Sequence, residues 1–553
     1  MTMRNLPAVR FGNPASSQPE FTATFSEQPV EYLNAVSSRC PSSNATNNSD
    51  PLRGNGLYDR PASGREEHRW SPNPQNLLVI MSDEHNRKIA GYAGHPIVST
   101  PALDALAARG SRFTAAYTPS PICVPARASL ATGLPVHRHR AWDNAIAYDG
   151  HIQGWAHALR KRGHHVASIG KLHYRGHPDD DYGFIESLWA MHITGGIGDV
   201  THLVRDPDDI RTTGKNLIAS AGPRESSYTL YDRQVAAAAQ IWLRETGTRR
   251  HARPWVLFVS MVAPHFPLTA PPEHYYRYIG QDLPRPKLYA EAERPDHAYI
   301  RMYARRSDYD THINSQADLQ RALAGYFGLV SFLDEQIGKI LTVLSETGLA
   351  DTVRVIYTSD HGDNLGTRGL WGKATMYEES AGIPMLVAGK GVPAGAVCAT
   401  PVTLCDVSAT ILDAVGASDA IAELGLPNVS LLDLAGQPPK DRTVLSEFHT
   451  YGPDAFYMLR TLRHKYVYYV GRPPQLFDLE ADPEELTDLG AAPEHAPQRA
   501  AFEARLRAVL DPELVDQQAK ADQARLAERY GGFEMLRRRE KMAFTPPPIA
   551  EAH

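Results

Sequence analysis

The chain has 553 residues, 57 Lys and Arg against 63 Asp and Glu, a formal net charge of −6, and 42% apolar and 22% charged residues. At roughly 100–200 residues per domain, this length asks for two to four domains of ordinary globular composition, and the slightly acidic balance excludes the basic field that draws in nucleic acid. No apolar run reaches the roughly 18–20 residues of a membrane helix, the four cysteines (Cys40, Cys123, Cys398, Cys405) make neither a disulfide framework nor a C-x-x-C pair, and the N-terminus has no apolar signal core, so the expected setting is cytoplasmic, with neither nucleic acid nor membrane as partner.

Residues 1–74 are rich in Ser, Asn, Pro and Arg without hydrophobic periodicity, and are expected to be a disordered extension. Order begins at Asn76-Leu77-Leu78-Val79-Ile80-Met81-Ser82, an apolar run ending in Asp83-Glu84. That is a buried strand delivering carboxylates at its C-terminal end. Thr100-Pro101 opens a helix whose Leu103, Leu106 and Ala107 recur at helical spacing, with Gly110 as its expected stop. The next helix opens at Cys123, in the run Ser120-Pro121-Ile122-Cys123-Val124-Pro125-Ala126-Arg127-Ala128-Ser129-Leu130-Ala131-Thr132-Gly133. Pro125 suits a first turn, where its missing N–H costs nothing. Arg127, four residues after the cysteine, lies on the same face. A cysteine at a helix N-terminus beside a guanidinium is in an electropositive place suited to anions. The alternative is a half-buried loop cysteine with Arg127 on a solvated face, and this run alone leaves the two level.

Further along, 155–162 reads as helix and 165–169 as a strand leading to Gly170-Lys171-Leu172-His173. A helix over 228–245 precedes a strand over 255–262 that ends at Ala263-Pro264-His265. A long amphipathic helix over 318–347 precedes a strand over 353–358 that ends at Ser359-Asp360-His361-Gly362-Asp363. A strand over 384–388 and a helix over 406–415 follow. This alternation implies an α/β fold over 75–440, a large mixed, mostly parallel sheet sandwiched by helices. From 441 to 495 the pattern changes to antiparallel strands (443–448 and 456–470), a smaller C-terminal subdomain. Residues 496–553 form a helical tail. Its Leu506, Val509, Leu510, Leu526, Met535 and Leu536 need a host, and a neighbouring copy in a homo-oligomer is the expected one.

Polar residues at the C-terminal ends of parallel strands are where open α/β sheets place ligands. Four strand ends carry them here: Asp83-Glu84, Lys171 with His173, His265, and Asp360-His361. Taken singly, each has an ordinary explanation: a helix cap or turn, a packed loop histidine, a solvated lysine.

The run around Cys123 resembles the C-x-P-x-R…T-G signature of the sulfatase family, within the alkaline phosphatase superfamily; Cys123, Pro125, Arg127, Leu130, Thr132 and Gly133 match it. The strand-end residues follow in the family's order. Gln475-Leu476-Phe477-Asp478-Leu479-Glu480-Ala481-Asp482-Pro483-Glu484-Glu485 resembles the family's "LFDLxxDPxE" segment. The resemblance implies that a maturation enzyme oxidises Cys123 to formylglycine, whose hydrated aldehyde is the nucleophile. It implies one divalent metal held by Asp83, Asp360, His361 and residue 123, with Glu84 standing where many relatives have a second Asp. Such hard oxygen donors with one imidazole suit Ca²⁺ first, then Mg²⁺ or Mn²⁺. Arg127, Lys171, His173, His265 and Lys373 (in Gly372-Lys373-Ala374) match the family's sulfate-binding and leaving-group residues, and Asn144 (in Trp142-Asp143-Asn144) is a candidate contact to the transferred group. The implied reaction is hydrolysis of a small anionic sulfate ester of the arylsulfatase or choline-sulfatase kind. One alternative is a phosphonate monoester hydrolase or phosphodiesterase, a sister group with Tyr-x-Thr where this chain has Lys171-Leu172-His173. The other is an inactive anion-binding protein on the same fold.

Overall fold

The computed structural model describes residues 74–211, 213–539 and 545–548, so the expected N-terminal extension lies outside the described residues but for Pro74. Eight strands form the main sheet: β1 (Asn76–Asp83), β2 (Gly110–Phe113), β3 (Val166–Lys171), β4 (Glu186–Met191), β5 (Val256–Pro264), β6 (Val353–Ser359), β7 (Met385–Ala388) and β8 (Ala396–Cys398). Their order is β8-β2-β7-β6-β1-β5-β3-β4. β1 runs parallel to β5 and β6, and β3 runs parallel to β5 and β4. Only β7 opposes its neighbours. The sheet is therefore mixed and mostly parallel, and the C-terminal ends of β1, β3, β5 and β6 lie side by side.

β1 is apolar without alternation because both its faces are covered. Leu78 and Ile80 pack under helices α1 (Pro101–Ala108), α4 (Ser227–Trp242) and α5 (Gln316–Glu346). Leu77, Val79 and Met81 pack under α2 (Cys123–Thr132), α3 (Trp155–Lys161) and α6 (Leu404–Ala414). Every residue of α2 is buried, which is why it carries Ala126, Ala128, Ser129 and Ala131: small side chains let it sit close to the sheet. Among the described residues no helix is long and apolar enough to cross a membrane.

A second, four-stranded antiparallel sheet has the order β9 (Val444–Phe448), β10 (Phe456–Arg460), β11 (His464–Tyr469), β12 (Arg472–Asp478). Three details differ from the sequence reading. The single strand read over 456–470 is a hairpin, β10 and β11. The Leu476-Phe477-Asp478 segment is itself an edge strand, where Pro473 and Pro474 cost no interior ladder bond. Gly110 does not stop α1 but opens β2, where a side chain would strike the Val387 carbonyl oxygen at 2.3 Å.

The tail forms α7 (Ala496–Arg507), α8 (Pro512–Arg529) and α9 (Gly532–Arg538). Its apolar side is hosted by its own chain. Leu506, Leu510 and Val515 pack with Trp142, Leu445, Tyr457 and Leu476, with Val509 at the margin. Leu536 packs with Val200 and Leu203, with Leu526 beside them. Met535 alone of the six expected residues is exposed. Leu514 and Phe533, also in the tail, are exposed with Met535.

Candidate active site

Extended backbone at Ile122 turns into α2 at Cys123, so the thiol stands at the first position of a helix aimed at the ends of β1 and β6. Its Sγ lies 3.2 Å from His361 Nε2, 3.7 Å from Asp83 Oδ1 and 3.2 Å from Lys373 Nζ. One turn along, Arg127 binds the strand ends together. Nε donates to Asp360 Oδ2 at 2.8 Å and Nη2 to Asp83 Oδ2 at 3.1 Å. Nη1 donates to the Lys171 carbonyl at 2.8 Å and to Ser260 Oγ at 2.9 Å. The open alternative from the sequence is thereby settled: Arg127 is buried, not solvated.

Lys171 Nζ lies 2.5 Å from Asp83 Oδ2. Burial by itself raises the Asp83 carboxyl, but Lys171, then His265, Arg127 and Lys373, hold it well below the usual carboxylate range. Burial pushes the Cys123 thiol up to about 12, and Asp83 adds to the effect. An unmodified thiol here is thus not a thiolate near neutral pH. Burial opposes the charge on Lys373, yet Cys123, Glu84 and Asp83 keep its ammonium protonated well above the ordinary range. Burial, joined by Lys171 at His173 and by Lys373 at His265, favours the neutral imidazoles; burial also lowers His361.

One donor atom each from Asp83, Cys123, Asp360 and His361 lie within 4.8 Å of one another. His361 Nδ1 faces the Gly362 carbonyl at 3.0 Å. It must carry the proton, which leaves the Nε2 lone pair facing the cluster. Two carboxylates, one lone-pair imidazole and the residue at 123 form a donor set that fits a divalent cation. Glu84 is outside these four but belongs to a second group, in which donor atoms of Asp83, Glu84 and His265 also lie within 4.8 Å of one another. The Glu84 backbone is left-handed at φ 67°. Glu84 Oε2 lies 3.1 Å from Lys373 Nζ and 3.2 Å from His265 Nε2, and burial raises its carboxyl to about 8. Asn144 Oδ1 accepts the Val124 N–H at 3.1 Å, near the start of α2.

A cavity opens over Cys123, and Asn144, Lys171, His173, His265 and Lys373 line it. All the sequence-predicted residues thus converge, with Glu84 on the lysine–histidine side. Several wall residues were not foreseen: Tyr228, Phe266, Tyr303, Tyr309, Tyr451, Asp199, Arg211, Arg306 and Thr545. Thr545 Oγ1 lies 3.0 Å from His173 Nε2, and its carbonyl accepts the Tyr228 hydroxyl at 2.6 Å. A contact between residues 372 positions apart leaves no local pattern to read.

The family model described as Sulfatase matches residues 75–417. The chain belongs to the sulfatase family. A second model, N-sulphoglucosamine sulphohydrolase, C-terminal, matches residues 366–511. As a sulfatase the protein is a sulfuric ester hydrolase. Choline-sulfatase of Rhizobium meliloti (strain 1021) is 33% identical over 490 residues, covering 86% of this chain and 94% of that protein. Arylsulfatase K of Bos taurus is 29% identical over 465 residues, covering 78% and 82%. Among solved structures, the phosphonate monoester hydrolase of Agrobacterium radiobacter shares the fold with a TM-score of 0.62 at 24% identity, over 79% of this chain and 95% of that one. BT4656 in complex with its substrate D-glucosamine-2-N,6-O-disulfate does so with a TM-score of 0.62 at 21% identity, over 81% and 99%.

Proposed function

We propose that this sulfatase hydrolyses a small sulfate monoester, an aryl sulfate or choline-O-sulfate, using formylglycine made from Cys123 by a maturation enzyme and one divalent metal. The observation that carries this is the meeting of Cys123, at the head of a fully buried helix, with two carboxylates, a lone-pair imidazole, Arg127, Lys171 and Lys373. Asp83, Asp360, His361 and residue 123 would hold the metal, Ca²⁺ first by its oxygen donors, with Mg²⁺ or Mn²⁺ as alternatives. When bound, it would supply positive charge beside the nucleophile and the sulfate oxygens.

The chain's own groups do the rest. Lys171, Lys373 and the Asn144 amide neutralise or hydrogen-bond the sulfate oxygens as charge shifts, while Arg127 fixes both carboxylates. One hydroxyl of the hydrated aldehyde attacks sulfur, and a carboxylate of the cluster around residue 123 takes its proton. The ester S–O bond breaks, and Lys373, whose ammonium is held protonated, gives a proton to the departing alkoxide. The second hydroxyl then loses its proton, the C–O bond to sulfate breaks, and the aldehyde returns. A serine or cysteine lacks that second hydroxyl. The likeness to choline-sulfatase and to arylsulfatase K supports a small organic leaving group, and the aromatic wall of Phe266, Tyr303, Tyr309 and Tyr451 gives it an apolar seat.

The test is a panel of an aryl sulfate, choline-O-sulfate and an aryl phosphonate monoester, with Cys123→Ala as control. Sulfate turnover that is lost in Cys123→Ala and by chelation, together with a residue-123 peptide lighter by the thiol-to-aldehyde difference, is the expected result. Full activity with only unmodified cysteine, or a phosphonate kcat/KM clearly above that of the matching sulfate, overturns it.

A further inference from the structure

The Asp482-Pro483-Glu484-Glu485 turn follows β12 and ends in a buried, left-handed residue, Glu485, at φ 55°. Its side chain reaches inward to two partners. Oε1 lies 2.6 Å from Lys465 Nζ on β11, and Oε2 accepts the Glu378 N–H at 2.8 Å. Lys465 has no exposed side-chain surface. Its ammonium donates to the Met376 carbonyl oxygen at 2.8 Å and forms ion pairs with Glu378 Oε1 and Glu485 Oε1, both at 2.6 Å. Glu378 is fixed in turn by the Tyr117 hydroxyl at 2.8 Å and by Arg87. Both C-terminal residues thus grip one short stretch, 376–378.

That stretch anchors the segment bearing Lys373. Residues 370–377 lie in neither helix nor strand, and Gly372 and Ala374 both have left-handed backbone, at φ 65° and 72°. A non-glycine residue holds that conformation only where its surroundings impose it. Side chains supply the constraint. The Trp371 carbonyl accepts the Tyr309 hydroxyl at 2.7 Å, Gly372 accepts Asn364 Nδ2 at 2.7 Å, and Ala374 accepts the Tyr299 hydroxyl at 2.7 Å. From this backbone Lys373 Nζ reaches 3.2 Å from Cys123 Sγ. A flexible four-carbon stem is placed no better than the backbone that carries it.

We propose that Glu485 and Lys465 are positioning residues: they hold the 376–378 backbone, and through it the Lys373 ammonium, against residue 123. This goes beyond the reading of the site and rests on it, because it takes Lys373 as a group that meets the sulfate ester. A buried ionic cluster is a poor source of stability compared with apolar packing of the same volume, so fixing geometry is the function its chemistry suits.

The matured, full-length enzyme is assayed with an aryl sulfate as Glu485→Ala and Glu485→Gln, each with Lys373 intact and in a Lys373→Ala background. Rates are taken per folded molecule. With Lys373 present, Glu485→Ala lowers kcat by about 10- to 100-fold, the scale of an ångström-sized misplacement. Glu485→Gln keeps an acceptor for the Glu378 N–H and loses less. In the Lys373→Ala background the same changes alter kcat by less than about two-fold, because coupled residues are not additive. Equal losses in both backgrounds, the signature of a purely structural latch, overturn the proposal, as does no loss in either. If Glu485→Ala does not fold, Glu485→Gln carries the same comparison. A Lys373→Ala enzyme with unchanged kcat would overturn the site reading and this inference together, whereas a large Lys373 effect without coupling overturns this inference alone.

Discussion

Arg127 shows why the signature around Cys123 asks for arginine and not for any cation. Its planar fork serves two carboxylates, a carbonyl and a hydroxyl at once, which the point charge of lysine cannot do. Asp83 and Asp360 are both fully buried. Removing one partner of a buried pair strands the other charge at about 3–5 kcal/mol. Arg127→Met is therefore expected to lower unfolding free energy in urea by about that amount, and Arg127→Lys by less but still measurably. A Met variant within about 1 kcal/mol of wild type would show that Lys171 alone suffices for Asp83. The pairing of Cys123 with Arg127 was legible because i and i+4 share a helix face. The division of partners was not: Asp83 falls both with Cys123, Asp360 and His361 and with Glu84 and His265, whereas Glu84 falls only with the second set.

At the scale of elements, the sheet strands and the residues at their C-terminal ends were legible, since apolar runs ending in polar residues report burial and topology together. Less legible were features set by partners distant in sequence. The helix read over 228–245 passes into a π turn at Leu243–Gly247, and the edge strand β12 is ordered by its pairing with β11. The tail is the largest such case. Its amphipathic pattern announced a need for burial without naming the host, which proved to be the chain itself. The host surface borders the site: Asp522 accepts the Trp142 indole N–H at 2.8 Å, and Gln523 donates to Asp143 Oδ2 at 2.8 Å, the two residues just before Asn144. Leu506→Ala, a fully buried truncation, should cost about 2–5 kcal/mol. Chain termination after Ala496 strips the cover from Trp142, Leu445 and Tyr457. It should yield a protein that melts far lower and aggregates. A soluble truncated chain with wild-type Tm and kcat would show that the tail is dispensable to the site and to the core.

Across the whole molecule, two sets of buried groups answer pH with opposite sign. His85, His139 and His202 are lowered by burial from 6.5 to about 4, 3 and 3. The native state keeps them neutral, so their contribution is fully present above pH 6.5 and is lost as pH falls toward the folded values. Burial raises Glu84, Asp232 and Asp334 to about 8, 7 and 6; they bind protons first in the native state, so folding gains from them as pH falls, until the unfolded chain protonates near pH 4. At about 1.4 kcal/mol per pH unit for each group, the acids' gain between pH 7 and 5 offsets only part of the histidines' loss, because burial also lowers His95, His173, His265 and His361. Below that, the acids' gain is exhausted. Glu379, which burial alone would raise but Lys287 and Arg368 hold near 2, then begins to lose its ion pairs. Urea midpoints should accordingly decline from pH 7 to 5 and fall more steeply below about 4.5. One substitution isolates the histidine share. His139 lies 2.8 Å from Ser129 Oγ through Nε2 and accepts the Ala141 N–H through Nδ1, so its neutral form is built into the hydrogen bonding. His139→Gln should be less stable than wild type at pH 7.5, with the gap narrowing by on the order of 2 kcal/mol at pH 5, where wild type has lost that contribution and the variant had none to lose. A gap independent of pH would mean that His139 titrates alike folded and unfolded, and that its burial is not what sets its charge.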